Sequence, residues 1–596
     1  MKKILFIILS VFALVGCTLE EQVLADSQPS TYYQTIPQCR TGINGCYIPL
    51  KNLYANGDYF EACEVAADLI YHNSDSYYDA MCNYTQSEPR FGASIWNQSY
   101  YGVSRCNAMV AAIERAPLTD DEKAPLLAET VILRAFYYYI LTINFGDVPY
   151  YFEEVTDANN DRIAQLPRMS ADELRDKLIE ELEYWLLEKK ALPYIKTYDP
   201  ANEYRIGAMV GLTIAGKLSI WNKRYDKALD FFQPIYDLYK SPQATIVDPL
   251  DPEAAPSDDC SNALLGYKLK DVMFRNRYTA ESILELPGYA KDYGLRVTQS
   301  LASRCTPMRS SSIVEGADED VTEDSEDASK NNQQDDYYNG VRIPELGVNA
   351  RTTSPYRPTY YLLHDLLPYN STDKRRSVYD VAKANDDITN VEACRIEDGG
   401  GWLAWCHEGC KYTHEDPEKD TKMYFFNSVG TEKGVPFLGP KFWCPGMVYT
   451  QDSNNIKIFR FAHVLLDMAE AYWYCENYTK AYQCLNASKK RAGLELLSGG
   501  YDGNDIQFIQ DLQQESGREL FGEFTRRHNL VRWGIWYDQV VNCAKTGKYD
   551  SSSQSNCDIV GFVIEGPCRQ YYPIPDQQIV LSNYNLDNKE YNKYGL

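Results

Sequence analysis

The densest group of potential metal ligands in the chain is Cys406-His407-Glu408-Gly409-Cys410. Cysteine, histidine and glutamate can all bind zinc, but a structural zinc site needs a fourth ligand and usually a C-x-x-C or H-E-x-x-H spacing. Neither spacing occurs in this stretch. The pattern therefore favours a disulfide or an ordinary loop, and we expect no metal site here.

Residues that could perform covalent catalysis show no recognisable arrangement. The chain lacks a G-x-S-x-G nucleophile turn and a phosphate-binding Walker sequence, and its 6 histidines are scattered. A glycosidase needs two carboxylates at a set separation, and the sequence does not locate such a pair among 84 Asp and Glu residues. We therefore predict that the protein is not an enzyme and uses no cofactor, with a surface glycosidase as the least favoured alternative.

Acidic residues dominate the charge of the chain, which is −25 at pH 7. Nucleic-acid binding needs a basic surface that displaces counterions, and no Lys/Arg stripe is present, so this class of function is excluded. The most acidic stretch, residues 314–336, could be considered for calcium. It lacks the D-x-D-x-D-G order with a closing glutamate, and this favours a solvated loop.

The first seventeen residues predict export and lipidation. Two lysines precede an apolar run over residues 4–15, which is short for a membrane span. The run ends in Leu14-Val15-Gly16-Cys17, which resembles a bacterial lipobox, and this resemblance implies that Cys17 carries the lipid anchor. Residues 1–17 are thus a signal peptide and residues 18–35 a polar tether. The acidic pair behind the cysteine resembles the surface-export signal of Bacteroidetes lipoproteins.

Cysteine usage fits the same compartment. Without Cys17, 16 of the 17 cysteines remain, an even number in an oxidising environment, so we expect some disulfides. Cys39 and Cys46 lie on either side of a stretch with glycine and asparagine that is typical of a turn. The pairing of the cysteines stays open.

Two capping boxes predict where helices begin. Thr119 is followed three residues later by Glu122, and Ser170 by Glu173, so each pair can satisfy free backbone N–H groups at a helix start. Behind Thr119, apolar residues recur every three or four positions up to Gly146. The spacing predicts one long helix that ends before this glycine.

Three consecutive tyrosines, Tyr137, Tyr138 and Tyr139, lie inside this predicted helix. Successive side chains of an α-helix point about 100° apart, so the three rings cannot form one platform for a ligand. We expect them to pack against separate neighbours as part of the scaffold.

Two segments are typical of helical hairpins. In the first, a helix with small residues such as Gly211 ends at Trp221, and Tyr225 opens its partner; in the second, a helix over residues 461–474 precedes one that starts at Tyr478. Both partners begin Tyr-x-x-Ala, which resembles the second helix of a tetratricopeptide repeat. The units are not in tandem, so we predict a mainly α-helical fold with dispersed hairpins.

A set of motifs in a fixed order resembles the SusD/RagB family. It includes Ala128-Glu129, Leu133-Arg134-Ala135, Phe145-Gly146-Asp147-Val148-Pro149 and, near the carboxy terminus, Tyr572-Pro573-Ile574-Pro575. The ordered set is more specific than any single motif. Further matches are Trp96 with Tyr100 and Asn107, Asp373-Lys374-Arg375-Arg376, Arg460-Phe461-Ala462, Lys490-Arg491-Ala492-Gly493-Leu494, Arg518-Glu519-Leu520 with Gly522-Glu523, and Leu530-Val531-Arg532-Trp533-Gly534.

The resemblance implies a single SusD-like domain over residues 36–596, with tetratricopeptide-like hairpins and long irregular loops. Two positions depart from the family's motifs. His463 replaces a usual acidic residue, and Asn529 replaces an aspartate, so the ion pair of that aspartate is in doubt. Loop-rich insertions are predicted at 242–262, 314–336 and 394–450.

The family also implies a function. Its members are outer-membrane lipoproteins of Bacteroidetes that bind nutrients above a SusC-like TonB-dependent transporter. The chain is thus expected at the cell surface, anchored by lipid, where it binds an oligosaccharide and delivers it to such a transporter without covalent chemistry. Some relatives bind peptides, as RagB-like proteins do, so a peptide or protein fragment is the alternative ligand.

Ligand contacts are expected in loops, because family members with different ligands share the motifs. A sugar lays its apolar C–H face on an aromatic ring, while Asp, Asn or Arg side chains bind its hydroxyls. For each aromatic residue the alternative is packing beneath a long loop. The predicted contacts are Asp75, Tyr77, Tyr78, Tyr84 and Arg90 in the loop after Asp68, Tyr289 behind an apolar run, and Trp402 and Trp405 in a glycine-rich loop.

Overall fold

The structure is a computed structural model of the 596-residue chain. Helices make up most of it and the strands are short, which confirms the prediction of a mainly α-helical fold. The structure describes residues 32–55, 57–72, 91–193, 205–239, 277–279, 281–288, 301–305, 355–359, 361–368, 371–379, 402–406, 414–415, 422–423, 438, 440–442, 444, 453–497, 505–546 and 566–593.

Three long helices pack together in the amino-terminal part. Helix α1 (Ile36–Ala55) leads to the short α2 (Asp58–Phe60), which continues as a π-helix over Glu61–Val65. Helices α3 (Gly92–Arg115) and α4 (Asp120–Phe145) follow, and both contact α1. The second half of α4 is buried on all sides, so this helix forms the centre of the core.

The predicted ends of α4 are confirmed. The Thr119 hydroxyl accepts a 3.4 Å hydrogen bond from the Glu122 backbone N–H, and the Glu122 carboxylate accepts one of 2.9 Å from the Thr119 N–H. Gly146 ends the helix at φ 70°, a conformation that favours glycine. Of the second predicted capping box the serine half forms, because Ser170 Oγ accepts a 3.2 Å bond from the Glu173 N–H.

The middle of the chain contains the first helical hairpin. Helices α5 (Asn160–Ala164) and α6 (Ala171–Glu183) come first, and α6 continues as a π-helix over Tyr184–Glu188. Helices α7 (Ala208–Trp221) and α8 (Tyr225–Tyr239) then pack as the predicted hairpin. The second helix starts at the predicted tyrosine.

The carboxy-terminal part contains the second hairpin. Its first helix spans the predicted residues 461–474, and its second helix starts at the predicted Tyr478. The first helix packs against α8, so the two hairpins are neighbours in space. The hairpins are thus separated in sequence but adjacent in the fold. The remaining helices are α9 (Leu301–Cys305), α10 (Phe461–Tyr474), α11 (Tyr478–Arg491), α12 (Asp505–Leu520), α13 (Arg526–Arg532), α14 (Trp536–Thr546), α15 (Asp576–Leu581) and α16 (Lys589–Asn592), where α10 and α11 form the hairpin.

The described strands form four two-stranded sheets. They are β1 (Ile70–His72), β2 (Ser282–Leu286), β3 (Tyr356–Pro358), β4 (Arg376–Tyr379), β5 (Leu403–Cys406), β6 (His414–Glu415), β7 (Lys422–Met423) and β8 (Ile456–Arg460). Strand β1 pairs antiparallel with β3, β2 with β8 and β6 with β7, whereas β4 and β5 are parallel. The partners β1 and β3, and β2 and β8, are far apart in sequence, so these two sheets join distant segments of the chain.

The three tyrosines of α4 are buried against different neighbours. Tyr137 donates a 2.6 Å hydrogen bond to the carbonyl of Cys46 in α1. The Tyr138 hydroxyl donates to the Tyr151 carbonyl at 2.7 Å and accepts from the Tyr151 N–H at 2.9 Å. Tyr139 is buried as well. The prediction that they belong to the scaffold is therefore confirmed.

Glycines allow the core helices to approach closely. A Cβ on Gly102 of α3 would lie 2.3 Å from the Tyr137 ring, and a Cβ on Gly211 of α7 would lie 2.8 Å from Ile132 of α4. Atoms this close overlap, so a side chain at either position would push the helices apart. The predicted small-residue face of α7 is confirmed.

Six of the described cysteines are free thiols, namely Cys39, Cys46, Cys63, Cys106, Cys475 and Cys568. Cys39 and Cys46 both lie on α1, so the expected turn between them is wrong. The expectation of disulfides is not met for these six cysteines, and it stays a prediction for the others. One described helix, α4, is long and apolar enough to cross a membrane, but 94% of its apolar window is buried in the fold.

Hydrogen bonds between residues far apart in sequence join the amino-terminal and carboxy-terminal parts of the described fold. Arg526 Nε donates to the Asp68 carboxylate at 2.7 Å, and Trp536 Nε1 donates to the carbonyl of Ala66 at 2.9 Å. All four residues are buried. These contacts support one domain over residues 36–596, which stays a prediction.

Several predicted regions are not tested. The signal peptide over 1–17 and most of the tether over 18–35 lie outside the described residues, as do the insertions at 242–262 and 314–336. The insertion at 394–450 is described only in short pieces. Their boundaries therefore stay predictions.

Candidate functional site

Most of the predicted ligand contacts lie outside the described residues. Of the glycine-rich loop, the structure describes β5, which contains the backbone of Trp405 but not its side chain. As ligand contacts, Trp405 and the predicted residues outside the described part stay predictions. The residues outside the described part are Asp75, Tyr77, Tyr78, Tyr84, Arg90 and Tyr289.

The residues that flank the predicted ligand loop, 73–90, are anchored in the core. Strand β1 ends at His72 and pairs with β3, and Phe91 is buried just before α3. Ahead of β1, the two carboxylate oxygens of Asp68 accept hydrogen bonds of 2.7 Å from Nε and Nη2 of Arg526. Such paired bonds fix both distance and orientation. The loop therefore starts and ends at fixed points of the scaffold.

Trp402, the eighth predicted contact, is fully buried. Its ring centroid lies 4.6 Å from Lys441 Nζ, 5.6 Å from Arg460 Cζ and 5.5 Å from Arg491 Cζ. The negative faces of the ring are thus occupied by cations of the core. Trp402 is therefore packed in the core, which corrects the expectation that it contacts sugar.

The cations around Trp402 belong to a buried charge cluster. Glu519 is at its centre, where Oε1 accepts from Arg460 Nη1 at 2.6 Å and Oε2 accepts from Arg375 Nη1 at 2.9 Å. Arg491 Nη2 also donates to this carboxylate. All its members are buried, so charges of both signs are withdrawn from water together. The cluster consists of Glu281, Asp373, Arg375, Lys441, Arg460, Arg491, Glu515, Glu519 and Glu523.

Neighbouring cations lower the pKa of two carboxylates of the cluster, Glu515 and Glu523. Burial alone would raise the pKa of Glu515, but the charges of Arg375 and Arg518 outweigh it and lower the pKa to about 2. Burial lowers the pKa of Lys441 to about 8, although Glu523 opposes the shift. A carboxylate with a low pKa and no access to solvent cannot protonate a substrate. The cluster is therefore a scaffold element.

His463, one of the two departures from the family's motifs, lies beside this cluster. It is buried, and its Nδ1 accepts a 3.3 Å hydrogen bond from the Arg460 N–H. Burial lowers the pKa of His463 well below its ordinary value, so the ring is neutral at neutral pH. At the other departure, Asn529 makes a 3.4 Å hydrogen bond to Ser516 Oγ instead of an ion pair.

A cavity of about 400 Å³, here called the turn cavity, lies beside the turn that ends α4. The start of α6, residues 567–572 and α16 enclose it together with this turn. Its lining contains charged groups of both signs and a half-buried tyrosine ring. These are Asp147, Arg168, Asp172, Arg175, Glu590 and Lys593, with Tyr571 as the ring.

Hydrogen bonds hold the wall of the turn cavity in place. Asp147 Oδ1 accepts a 2.8 Å bond from the Ala171 N–H at the first turn of α6. Arg168 Nε donates to the Asp147 carbonyl at 2.9 Å. Gly146 turns the chain at φ 70°, and a Cβ there would lie 3.9 Å from the Tyr571 ring. The turn and the aromatic ring therefore form adjacent walls of the cavity.

Arg175 is the buried cation of the turn cavity. Its Nη1 donates to Asp172 at 3.1 Å and its Nη2 to the Thr142 carbonyl at 3.4 Å, while its guanidinium carbon lies 4.7 Å from the Trp221 ring centroid. Its Nε has no hydrogen-bond partner. Burial lowers the pKa of Arg175. Its Nη1 also donates to Asn222 Oδ1 at 3.4 Å, so both terminal nitrogens are bonded and Nε alone has no partner.

Metal binding finds no support in the described part of the chain, where no group of three or more His, Cys, Asp and Glu side chains could hold an ion. Cys406 ends β5, and residues 407–410 are not described, so the nature of that cysteine pair stays open. The acidic stretch at 314–336 is not described either.

Two family models match the chain. One, described as the SusD family, matches residues 446–591, and another, described as "Starch-binding associating with outer membrane", matches residues 25–193. A relative, SusD-like protein P25 of Formosa agariphila, is 23% identical over 573 residues, or 90% of this chain and 91% of that protein. The likeness thus runs along nearly the whole sequence.

Solved structures share the fold. A SusD homolog from Bacteroides thetaiotaomicron has a TM-score of 0.63 at 15% identity and covers 95% of this chain and 98% of its own. Surface glycan-binding protein A from Bacteroides thetaiotaomicron, in complex with laminarihexaose, has a TM-score of 0.59 at 17% identity, with coverage of 92% and 98%. At these identities the likeness concerns the fold alone.

Fold and sequence together define a class of helical proteins associated with the outer membrane. The chain belongs to the SusD/RagB family. This confirms the resemblance drawn from the ordered motifs, including those that build the buried charge cluster.

None of the turn-cavity residues was among the predicted contacts. The sequence did contain two local signals, the turn at Gly146 and the capping box at Ser170. The sequence gave no sign that residues 567–572 line the space beside these two features, because the two segments are separated by about 400 residues. A site built from distant segments is not visible in local spacing.

Proposed function

We propose that this chain is a lipoprotein of the cell surface that binds a nutrient oligosaccharide and delivers it to a SusC-like TonB-dependent transporter. Two observations carry the proposal: residues 25–193 match a family model described as "Starch-binding associating with outer membrane", and a SusD-like relative is similar along 90% of the chain. The shared fold with a protein solved with laminarihexaose supports the same ligand class. The proposal assigns no covalent chemistry to the chain, in keeping with a family of glycan-binding proteins.

The proposed ligand contacts are those of the predicted loops. Asp75, Tyr77, Tyr78, Tyr84 and Arg90 combine aromatic rings with hydrogen-bonding groups, as sugar binding requires. The anchored residues at both ends of loop 73–90 support this location, because a fixed frame lowers the entropy lost on binding. Tyr289 and Trp405 are the further proposed contacts.

Binding is tested by calorimetry with maltohexaose and laminarihexaose. Replacing Tyr77 and Tyr78 by alanine should weaken binding of the bound sugar roughly tenfold or more, because two stacking rings are lost. The melting temperature should not change. Tyr101→Ala, which removes an exposed ring outside the loop, is the matched control and should leave the affinity unchanged. Equal affinity in all variants would move the site elsewhere.

The alternatives are measured in the same experiment. Binding of short peptides without binding of either hexasaccharide would favour the RagB-like alternative. Release of reducing sugar during incubation with polysaccharide would instead identify a glycosidase. The absence of sugar release, with binding retained, supports a binding protein.

The lipid anchor is proposed at Cys17. Cys17→Ser should abolish labelling by a fatty-acid analogue and shift the protein from the membrane fraction to the soluble fraction, because acyl chains provide the membrane affinity. The wild-type protein, extracted from outer membranes with mild detergent, should co-purify with a TonB-dependent transporter. Unchanged labelling of the Cys17→Ser variant would contradict the anchor.

A further inference from the structure

The turn cavity has the size and enclosure of a ligand site. Its volume of about 400 Å³ lies within the range of roughly 300–1,000 Å³ that is common for small-molecule pockets. Its walls come from the turn after α4, the start of α6, residues 567–572 and α16. The cavity is lined by residues of two segments, 145–175 and 567–593, and is therefore part of the folded scaffold.

The charges of the lining favour a neutral ligand. Three cations, Arg168, Arg175 and Lys593, are balanced by the carboxylates of Asp147, Asp172 and Glu590. An anion would meet three carboxylates and a cation would meet three positive groups. A hydroxyl group both donates and accepts hydrogen bonds, so a polyhydroxyl ligand can use both sets.

Arg175 has hydrogen-bonding capacity that the protein leaves unused. The side chain is nearly buried, its bonds to Asp172, Asn222 and Thr142 measure 3.1, 3.4 and 3.4 Å, and its Nε has no partner. A buried donor without an acceptor costs free energy. A ligand oxygen seated against the guanidinium would provide that acceptor after a small movement of the side chain.

Tyr571 provides an aromatic wall. Its ring is half-buried and lines the cavity next to Gly146, where the missing side chain leaves the ring carbons 3.9 Å from the position of a Cβ. The apolar C–H face of a pyranose stacks on such a ring. The cavity thus combines the features of a sugar site, namely an aromatic face, donors and acceptors.

We infer that the turn cavity binds a neutral mono- or disaccharide unit and is a second sugar site of this protein. The site shares no residue with the predicted contacts in the loops. Its ligand class rests on the proposed function, whereas its existence rests on the geometry of the cavity.

The inference is tested by saturation-transfer NMR with glucose and maltose. Tyr571→Ala should weaken binding of the sugar roughly fivefold or more, because the stacking face is lost. Tyr571→Phe keeps the ring and should bind as the wild type does. Asp172→Ala provides a second variant on an exposed side chain and should also weaken binding, because an acceptor is lost.

A double variant with Tyr77→Ala and Tyr78→Ala separates this site from the loops and should keep the glucose signal. No saturation transfer to glucose or maltose in the wild type would overturn the inference, as would equal signals in Tyr571→Ala, Asp172→Ala and the wild type. Loss of the signal in the loop variant would also overturn it. Saturation transfer to glucose or maltose that depends on Tyr571, without binding of either hexasaccharide, would support the sugar site in the turn cavity. The same result would reject the proposed oligosaccharide function.

Discussion

His528 links the stability of the fold to pH. The side chain is buried, with Nε2 3.2 Å from Asn144 Oδ1 and its ring 6.4 Å from that of Tyr59. Burial, together with the charge of Arg527, lowers the pKa of His528 to about 3. An unfolded histidine titrates near 6.5. The folded state is therefore stabilised above pH 6.5, and this contribution is lost as the pH falls from 6.5 toward 3.

We expect His528 to lower the free energy of unfolding by about 2 kcal/mol as the pH falls from 6.5 to 5, since each pH unit in this window contributes about 1.4 kcal/mol. His528→Gln keeps a neutral polar group and should flatten the fall of the melting temperature over this interval. Thermal unfolding of both proteins at pH 8, 6.5 and 5 measures the effect. Buried His463, whose pKa is also lowered, leaves part of the fall in melting temperature in both proteins. Parallel curves for the two proteins would contradict this role of His528.

Residue type and local sequence did not predict the environment of Trp402. Its glycine-rich surroundings indicated an exposed loop, but the ring is enclosed by Lys441, Arg460 and Arg491. These cations come from other parts of the chain. Contacts of this kind depend on the tertiary fold, so an exposed and a buried tryptophan can have the same local sequence.

Helix boundaries were predictable where the signals are local. The capping box at Thr119 and the glycine at 146 set the ends of α4, and both hairpins begin their second helix at the predicted tyrosine, Tyr225 or Tyr478. Caps and left-handed glycines act within a few residues. Their effect on the backbone can therefore be read from a short window of sequence.

The region around Cys39 and Cys46 shows where local signals fail. Its glycines and asparagine indicated a turn, yet the chain continues as α1. A Cβ on Gly42 would lie 2.5 Å from Met109 Sδ of α3, so the glycine permits close helix packing. Arg205 donates a 2.9 Å hydrogen bond to Asn44 Oδ1 from a distant part of the chain. Tertiary contacts thus override the turn propensity.

The buried charge cluster connects elements across the whole molecule. Glu519 on α12 binds Arg460 at the end of β8, Arg491 on α11 and Arg375 before β4, and Arg491 also binds Glu281 beside β2. The sequence identified most of these residues as family motifs. It could not show that they meet in one place, because ion pairing between distant segments leaves no local spacing pattern.

Glu519→Gln tests whether the cluster holds these elements together. The substitution keeps the size of the side chain but leaves three buried arginines with less negative charge, so we expect a loss of about 3–5 kcal/mol in unfolding free energy. Glu173→Gln is the control, because its 3.7 Å pair with Lys177 is exposed and such pairs contribute about 0–1 kcal/mol. Urea unfolding followed by tryptophan fluorescence compares both variants with the wild type. Equal midpoints for the two variants would show that the fold does not depend on the charge of Glu519.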